Sequence, residues 1–423
     1  MKISVVGGGY VGLVSAACFA QLGHSVVLIE IDEARVEAIN GGRPPIYERG
    51  LCELLSKHVG CSLRATSSYD PVRGTDLSFI CVGTPPRADG SADLSMVESA
   101  SRSLGESLAG REGYHAVAVK STVPPGTTEN LVMPTVLKHS GGAGGMIGFA
   151  MNPEFLREGM AVEDFMDPDR IVIGSSEQKA GDVVASAYSG LKAPVLRVGL
   201  SAAEMIKYAS NALLATKISF SNEIGNICKR LGVDVYEVMK GVGMDHRISP
   251  HFLSAGAGFG GSCFPKDVMA MIRLGEALGE DPVLLRSVIE VNERQPLRMV
   301  ELLERRIGPL SGKEVAVLGL AFKNDTDDVR DSRAVPVIEE LQRRGARIRA
   351  YDPLAASNMK RIIQDIEYCN SAAEALLGAD ACLIMTEWPE FGRLDREFDL
   401  MRSRVIIEGR KILLCEGAEG ICW

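Results

Sequence analysis

The stretch Gly256-Ala257-Gly258-Phe259-Gly260-Gly261-Ser262-Cys263-Phe264-Pro265-Lys266-Asp267 concentrates more reactive chemistry than any other part of the chain. Four glycines in six residues let a backbone lie against a ligand. A cysteine follows, with a cation and a carboxylate within four positions. A thiol attacks a carbonyl as its thiolate, and an adjacent Lys⁺ favours that form. Cys263 is therefore a candidate nucleophile; the competing reading is a buried thiol in a glycine turn.

Glu204, Lys207 and Asn211 recur at i, i+3 and i+7, so in a helix they share one face. A Lys and an Asn four apart can jointly donate to a developing oxyanion. A solvated stripe is the alternative. In Asn152-Pro153-Glu154-Phe155-Leu156-Arg157-Glu158-Gly159, the carboxylates Glu154 and Glu158 suit acid–base work. They equally suit surface charges on a helix's first turn, and spacing does not choose.

Gly7-Gly8-Gly9-Tyr10-Val11-Gly12 fits G-x-G-x-x-G. It follows an apolar strand, opens a small-residue helix, and precedes an acid, Glu30, at the end of the next strand. Glycines permit the tight turn, and the helix N-terminus offers free N–H groups to a pyrophosphate. Glu30 would accept from the adenosine ribose hydroxyls and repel a 2′-phosphate, which favours NAD over NADP. Arg35 lies near enough to weaken that preference, or is an ordinary exposed helix residue. Thr84 and Thr122 each sit in a Thr–Pro or Thr–Val–Pro turn after a strand, the edge where open α/β sheets bind ligands. Either hydroxyl can touch ribose, nicotinamide or a catalytic water, or belong to a plain turn.

The elements needed to position these groups are readable in outline. Strands are expected at Ile3–Gly7, Ser25–Glu30, Asp76–Val82, His115–Lys120, Ile147–Met151 and Arg170–Ile173. Their apolar runs lack alternation, as in parallel strands covered on both faces. Residues 201–230 read as one long helix, with Ser201 as N-cap and Gly232 just past its end. Helical patterns resume at Asp267–Leu278 and Pro282–Ile307. Lys313–Gly319, Gly345–Asp352 and Asp380–Thr386 repeat the outline of the first segment, with a further strand at Arg404–Glu408, but without G-x-G-x-x-G. The expected fold class is α/β: two Rossmann-like doubly wound parallel-sheet domains joined by a central helical domain. The expected boundaries are 1–198 for the NAD-binding domain, 199–308 for the helical domain and 309–423 for the second Rossmann-like domain.

Composition narrows the class further. The 423 residues carry 46 Lys+Arg against 55 Asp+Glu, a net charge of −9, so no basic stripe invites nucleic acid or an anionic membrane. None of the ten cysteines forms a CxxC pair, which excludes the common zinc-ribbon and thioredoxin signatures. Cys18, Cys81 and Cys382 lie in apolar runs as reduced core thiols, pointing to a reducing, cytoplasmic compartment. Residues 3–29 carry no formal charge, but their five glycines fit a strand–turn–helix rather than a membrane span or signal peptide.

Six motifs in order — GGGYVGL, STVPPGT, NPEFLREG, KYASNALLATKISFSNE, FLSAGAGFGGSCFPKD and GLAFKNDTDDVRDS — resemble those of the UDP-glucose/GDP-mannose dehydrogenase family, over essentially the whole chain. The resemblance implies a two-step, four-electron oxidation of a nucleotide sugar at C6 with two NAD, ending as a carboxylate. It implies that Cys263 forms the thiohemiacetal and thioester, that Lys207 and Asn211 steady the oxyanions, and that Thr122 and Asp267 hold a water. Glu158, with Glu154, would assist thioester hydrolysis. Lys266 would lie near cofactor and thiol, and Arg330 would reach NAD with Gly7, Gly9, Tyr10, Val11, Gly12, Glu30 and Thr84. Phe155, Leu156, Arg157, Phe252, Leu253, Ser254, Gly256 and Gly260 would touch the sugar nucleotide. Lys323 would grip it, and Arg247 would reach it across a subunit boundary. The third domain would then bind UDP, and the central helix suits a dimer.

Phe259, Arg333 and Arg49 depart from residues usual in that family, the last two standing where Pro is common. The phrase GFGGSCFPKD leans toward UDP-glucose over GDP-mannose as substrate. Two other classes stay open from the residues alone: an NAD-binding redox sensor using Cys263, and an ordinary one-hydride dehydrogenase.

Overall fold

The computed structural model describes residues 1–413 and 417–423. The chain divides into two compact units, Met1–Ser210 and Asn211–Trp423. The first unit runs β1 (Lys2–Val6), α1 (Tyr10–Gln21), β2 (Ser25–Ile29), α2 (Glu33–Asn40), α3 (Leu51–His58), β3 (Leu63–Thr66), β4 (Leu77–Ile80) and α4 (Ser95–Leu108). It continues through β5 (His115–Val119), α5 (Met133–His139), β6 (Ile147–Met151), α6 (Ala161–Met166), β7 (Ile171–Ser175), α7 (Gln178–Ser186) and β8 (Val195–Val198). The boundary between the units falls inside α8 (Leu200–Leu231).

The eight strands form one sheet in the order β3-β2-β1-β4-β5-β6-β7-β8. The strand order reverses at β1 and β4, the crevice where doubly wound sheets hold their ligands. Side chains alternate between two cores. Ile3 and Val5 of β1 face one of them, while Val6, Ile80, Val117 and Val119 face the other. Both faces are buried, which explains why the sequence shows apolar runs instead of alternation. One pairing departs from the parallel expectation: β7 runs antiparallel to β6. The chain between them is the Asn152–Gly159 loop followed by the six-residue α6.

The second unit holds α9 (Val235–Gly243), α10 (Phe264–Ala277), α11 (Val283–Ile307), β9 (Glu314–Leu318), α12 (Ala334–Arg343), β10 (Arg347–Tyr351) and α13 (Ala356–Met359). It ends with β11 (Glu367–Tyr368), α14 (Ala372–Leu376), β12 (Ala381–Ile384), β13 (Ile406–Glu408) and β14 (Ala418–Gly420). Its six strands are all parallel, in the order β11-β10-β9-β12-β13-β14. This is the duplicated outline expected from the sequence.

The long helix is 32 residues and begins one residue before Ser201, which therefore lies in the first turn and is not its cap. Gly232 follows it with φ +70°, a left-handed stop. Among the described residues, no helix is long and apolar enough to cross a membrane. None of the nine described cysteines is in a disulfide; burial pushes the thiols of Cys18 and Cys81 up to about 12 and raises that of Cys382 as well.

Candidate functional site

In the first unit, the turn between β1 and α1 is built by necessity from glycine. Gly7 sits at φ +103°, and a Cβ on Gly12 would lie 1.9 Å from the Gly7 carbonyl oxygen. Gly9 is the N-cap of α1, with no side-chain cap and no acid in the first turn, so the helix's N–H groups stay available to an anion. A Cβ at Gly9 would meet nothing within 4 Å, so the space above that N-terminus is open. Glu30 follows β2 and is buried, accepting from Gly8 N–H at 2.9 Å and Asp32 N–H at 3.0 Å. An open glycine turn on a bare helix N-terminus, with a carboxylate beside it, fits a dinucleotide. Arg35 is half-exposed and pairs with Asp32 at 3.7 Å. Val11, in the first turn of α1, is partly buried against the core.

The turns after β4 and β5 meet: Thr84 Oγ1 donates to the Thr122 carbonyl at 2.9 Å. The Thr122 turn is itself held by Glu204. That buried carboxylate accepts from Gly126 N–H at 2.5 Å, Thr128 N–H at 2.7 Å and the Thr128 hydroxyl at 2.6 Å. Burial pushes the Glu204 carboxyl above its ordinary value, and the Thr128 and Gly126 donors oppose that rise.

The segment from Asn152 to Gly159 is a loop and not the first turn of a helix; α6 starts later, at Ala161. Glu154 is 7 % exposed and pairs with Lys207 at 3.2 Å, while its other oxygen accepts from Leu156 N–H at 2.5 Å. The Phe155 ring lies 3.9 Å from the Arg170 guanidinium and 5.3 Å from Lys207 Nζ. Arg157 forks onto Asp164, whose hydrogen bond raises the arginine's pKa. Glu158 is partly exposed, and the next N–H, of Gly159, donates to Glu48 at 2.7 Å. Glu48 also takes the Tyr10 hydroxyl and the Ala161 N–H. One buried carboxylate thus joins the glycine turn to the loop carrying Glu158.

In the second unit, Cys263 is the N-cap of α10, where the first-turn N–H groups favour negative charge on sulfur. Its Sγ lies 3.5 Å from Ser262 Oγ. One turn on, Asp267 is 1 % exposed and accepts from Asn211 Nδ2 at 2.6 Å and Lys266 Nζ at 2.7 Å. The glycine loop before the thiol is pinned along its length. Gly256 N–H donates to Asn222 Oδ1 at 2.7 Å, and Ala257 N–H to the Gly409 carbonyl at 2.9 Å. Asn292 takes both backbone groups of Phe259, at 2.7 and 2.9 Å.

Upstream, Phe252 and Ser254 are exposed while Leu253 turns into the core. Arg247 and Arg330 are exposed, each forked onto the aspartate two residues before it, Asp245 and Asp328. Lys323 Nζ lies 5.9 Å from the Phe322 ring.

The two sheets use their matching acids differently. Asp352 follows β10 as Glu30 follows β2, yet Asp352 accepts five donors: four backbone N–H groups and the Trp388 indole. No lone pair is left to recognise a ribose. No helix opens behind β9 either, since α12 starts only at Ala334.

Sequence reasoning did not single out Lys120, Asn222, Asn292 or Glu48 as site-builders. Lys120 is buried, donating to Asn152 Oδ1 at 3.2 Å and Tyr188 OH at 3.0 Å. Its place just before Ser121-Thr122 is the one signal the sequence holds. Asn222 and Asn292 are single polar residues in helical patterns, with nothing local to mark them.

Family models match nearly the whole chain. The UDP-glucose/GDP-mannose dehydrogenase NAD binding domain matches residues 1–192, the central domain 201–294 and the UDP binding domain 316–414. The chain is 49 % identical to the UDP-glucose 6-dehydrogenase AglM of Haloferax volcanii, over 98 % of this chain and 97 % of that protein. It is 44 % identical to the UDP-glucose 6-dehydrogenase TuaD of Bacillus subtilis, over 98 % and 90 %. The solved structure of a UDP-glucose dehydrogenase from Pyrobaculum islandicum superposes with a TM-score of 0.95 at 46 % identity, covering 100 % of this chain and 98 % of that one.

Proposed function

Because the chain belongs to the UDP-glucose/GDP-mannose dehydrogenase family, we propose that it oxidises the C6 alcohol of UDP-glucose to the carboxylate of UDP-glucuronate, with NAD. The observation that carries this reading is Cys263 on the N-terminus of α10, with Asn211, Lys266 and Asp267 linked one turn behind it. A one-hydride dehydrogenase has no use for such a thiol.

Gly7–Gly12 and Glu30 would hold NAD, which supplies a hydride acceptor for each of the two oxidations. The C6 alcohol loses a hydride and its hydroxyl proton to become an aldehyde. Cys263 adds through sulfur to the aldehyde carbon, and the oxyanion so formed takes up a proton as a thiohemiacetal. Loss of a second hydride and that proton leaves a thioester. Water then cleaves the carbon–sulfur bond, giving the carboxylate and restoring the thiol. Lys207 and Asn211, one turn apart on α8, suit the role of donors to the C6 oxygen. Asp267 suits the holding of a water, and Glu154 and Glu158 the hydrolytic step. Lys323, Arg247, Phe155 and the Phe252–Gly256 loop would contact the sugar nucleotide, and Arg330 the cofactor.

The working form is a dimer through α8. Leu213, Phe220 and Ile227, seven residues apart on one stripe, are 61 %, 47 % and 53 % exposed. The setting is the reducing cytoplasm, which keeps the nucleophile and its eight described fellow cysteines out of disulfides. Initial rates with UDP-glucose, GDP-mannose and UDP-N-acetylglucosamine test the substrate. UDP-glucose should lead in kcat/KM by at least about a hundredfold, since a site built for one set of polar groups rejects others strongly. A preference for GDP-mannose would overturn it.

A further inference from the structure

Arg333 is 7 % exposed, a buried guanidinium on the segment that leads from β9 to α12. Burying such a charge is costly unless its donors are used. Here Nη1 donates to Glu293 Oε1 at 2.8 Å and Nε to the Asp331 carbonyl at 3.1 Å. Asp331 sits at φ +49°, a left-handed conformation that is unfavourable for a non-glycine residue and must be held by its surroundings.

What the strained turn presents is two carbonyls against the loop that carries the thiol. The Arg330 carbonyl accepts from Gly261 N–H at 2.9 Å. The Asp331 carbonyl packs so closely on Gly260 that a Cβ there would fall 2.2 Å from it. Gly260 and Gly261 stand three and two residues before Cys263. The other end of the clamp, Glu293, neighbours Asn292 on α11, which holds both backbone groups of Phe259 in the same loop. Arg333 thus ties the two supports of the glycine loop to each other.

We propose that Arg333 is a positioning residue for Cys263: through the Asp331 carbonyl and Glu293 it fixes the turn at 330–331 on which Gly260 and Gly261 rest, and so sets where the thiol stands. The proposal rests on the reading of Cys263 as nucleophile. Its test includes a readout that needs no sugar nucleotide.

In the enzyme, Arg333→Met keeps an unbranched apolar stem and removes every donor. Arg333→Lys restores the charge, and Glu293→Gln weakens the clamp from its exposed end. For each, kcat and KM are measured with UDP-glucose and NAD. The rate of iodoacetamide labelling is followed separately for the Cys263 and Cys52 peptides by mass spectrometry, Cys52 being an exposed reference. Arg333→Met should lower kcat about tenfold with KM for NAD within about twofold, the size expected when a reacting group is misplaced by a fraction of an ångström. It should slow Cys263 labelling by about threefold or more while leaving Cys52 unchanged, because a displaced loop moves the sulfur off the α10 N-terminus. Arg333→Lys should recover part of both losses.

Unchanged Cys263 labelling in Arg333→Met overturns the proposal, whatever happens to kcat. Should that variant fail to fold, Glu293→Gln decides: slower Cys263 labelling supports the clamp, and an unaltered rate overturns it. If the wild type does not oxidise UDP-glucose but Arg333→Met still slows Cys263 labelling, the substrate reading has failed and the positioning role stands.

Discussion

Glu204, Lys207 and Asn211 share a helical face, yet each answers to a different partner. Glu204 holds the Thr128 turn, Lys207 pairs with Glu154, and Asn211 donates to Asp267. All three are buried, so the solvated stripe is excluded. A buried histidine outside the site yields a residue-scale prediction. His115 donates from Nδ1 to the Thr75 carbonyl at 2.9 Å and accepts at Nε2 from Ser78 at 2.8 Å, the tautomer those partners require. Burial, the largest cause, lowers its pKa from 6.5 to about 4. The unfolded chain therefore takes up this proton first as pH falls. The contribution to stability is full above pH 6.5 and is lost on acidification through about pH 4, amounting to about 3 kcal/mol over that window. His115→Asn should flatten the fall in urea midpoint between pH 6.5 and 4, and equal slopes in variant and wild type would contradict the assignment. At this scale the sequence showed which residue types could react. It did not show their partners, because Asn211 and Asp267 are 56 positions apart and no local pattern links them.

At the scale of elements, the strands that escaped the sequence are informative. β3, β8, β11 and β14 are the four edges of the two sheets. Edge strands are covered less, so their residues need not be apolar: β8 reads VLRV and is mostly exposed, and β11 is only Glu367–Tyr368. The central strands were legible because burial on both faces favours apolar runs, the few buried polar residues, such as Ser4, Ser78 and His115, being hydrogen-bonded to one another or to backbone. The long helix was legible in length, and its exposed stripe gives the element-scale prediction. The wild type should sediment at twice the chain mass of 45.4 kDa. Phe220→Glu, with a charge placed amid Leu213 and Ile227, should weaken that dimer by about tenfold or more, as removal of a central aromatic anchor does. A monomeric wild type, or an unaffected variant, would show that the stripe serves something else.

At the scale of the whole molecule, two Rossmann-like sheets of one outline have diverged in what their matching parts do. The first keeps an open glycine turn on a helix N-terminus and an acid with two backbone donors. The second keeps the acid but surrounds it with five donors and starts no helix behind β9. The missing glycine fingerprint was readable from the sequence. The saturation of Asp352 was not, since Trp388 comes from 36 residues away. On the function proposed above, a thiol on a helix N-terminus and a glycine turn for a dinucleotide would serve one four-electron oxidation, the first as a covalent hold on the intermediate and the second as the seat of a repeated hydride acceptor. NADH formed per UDP-glucose consumed, with the product identified, measures that requirement directly. Two NADH and UDP-glucuronate are predicted; one NADH and a free aldehyde would contradict the role given to Cys263.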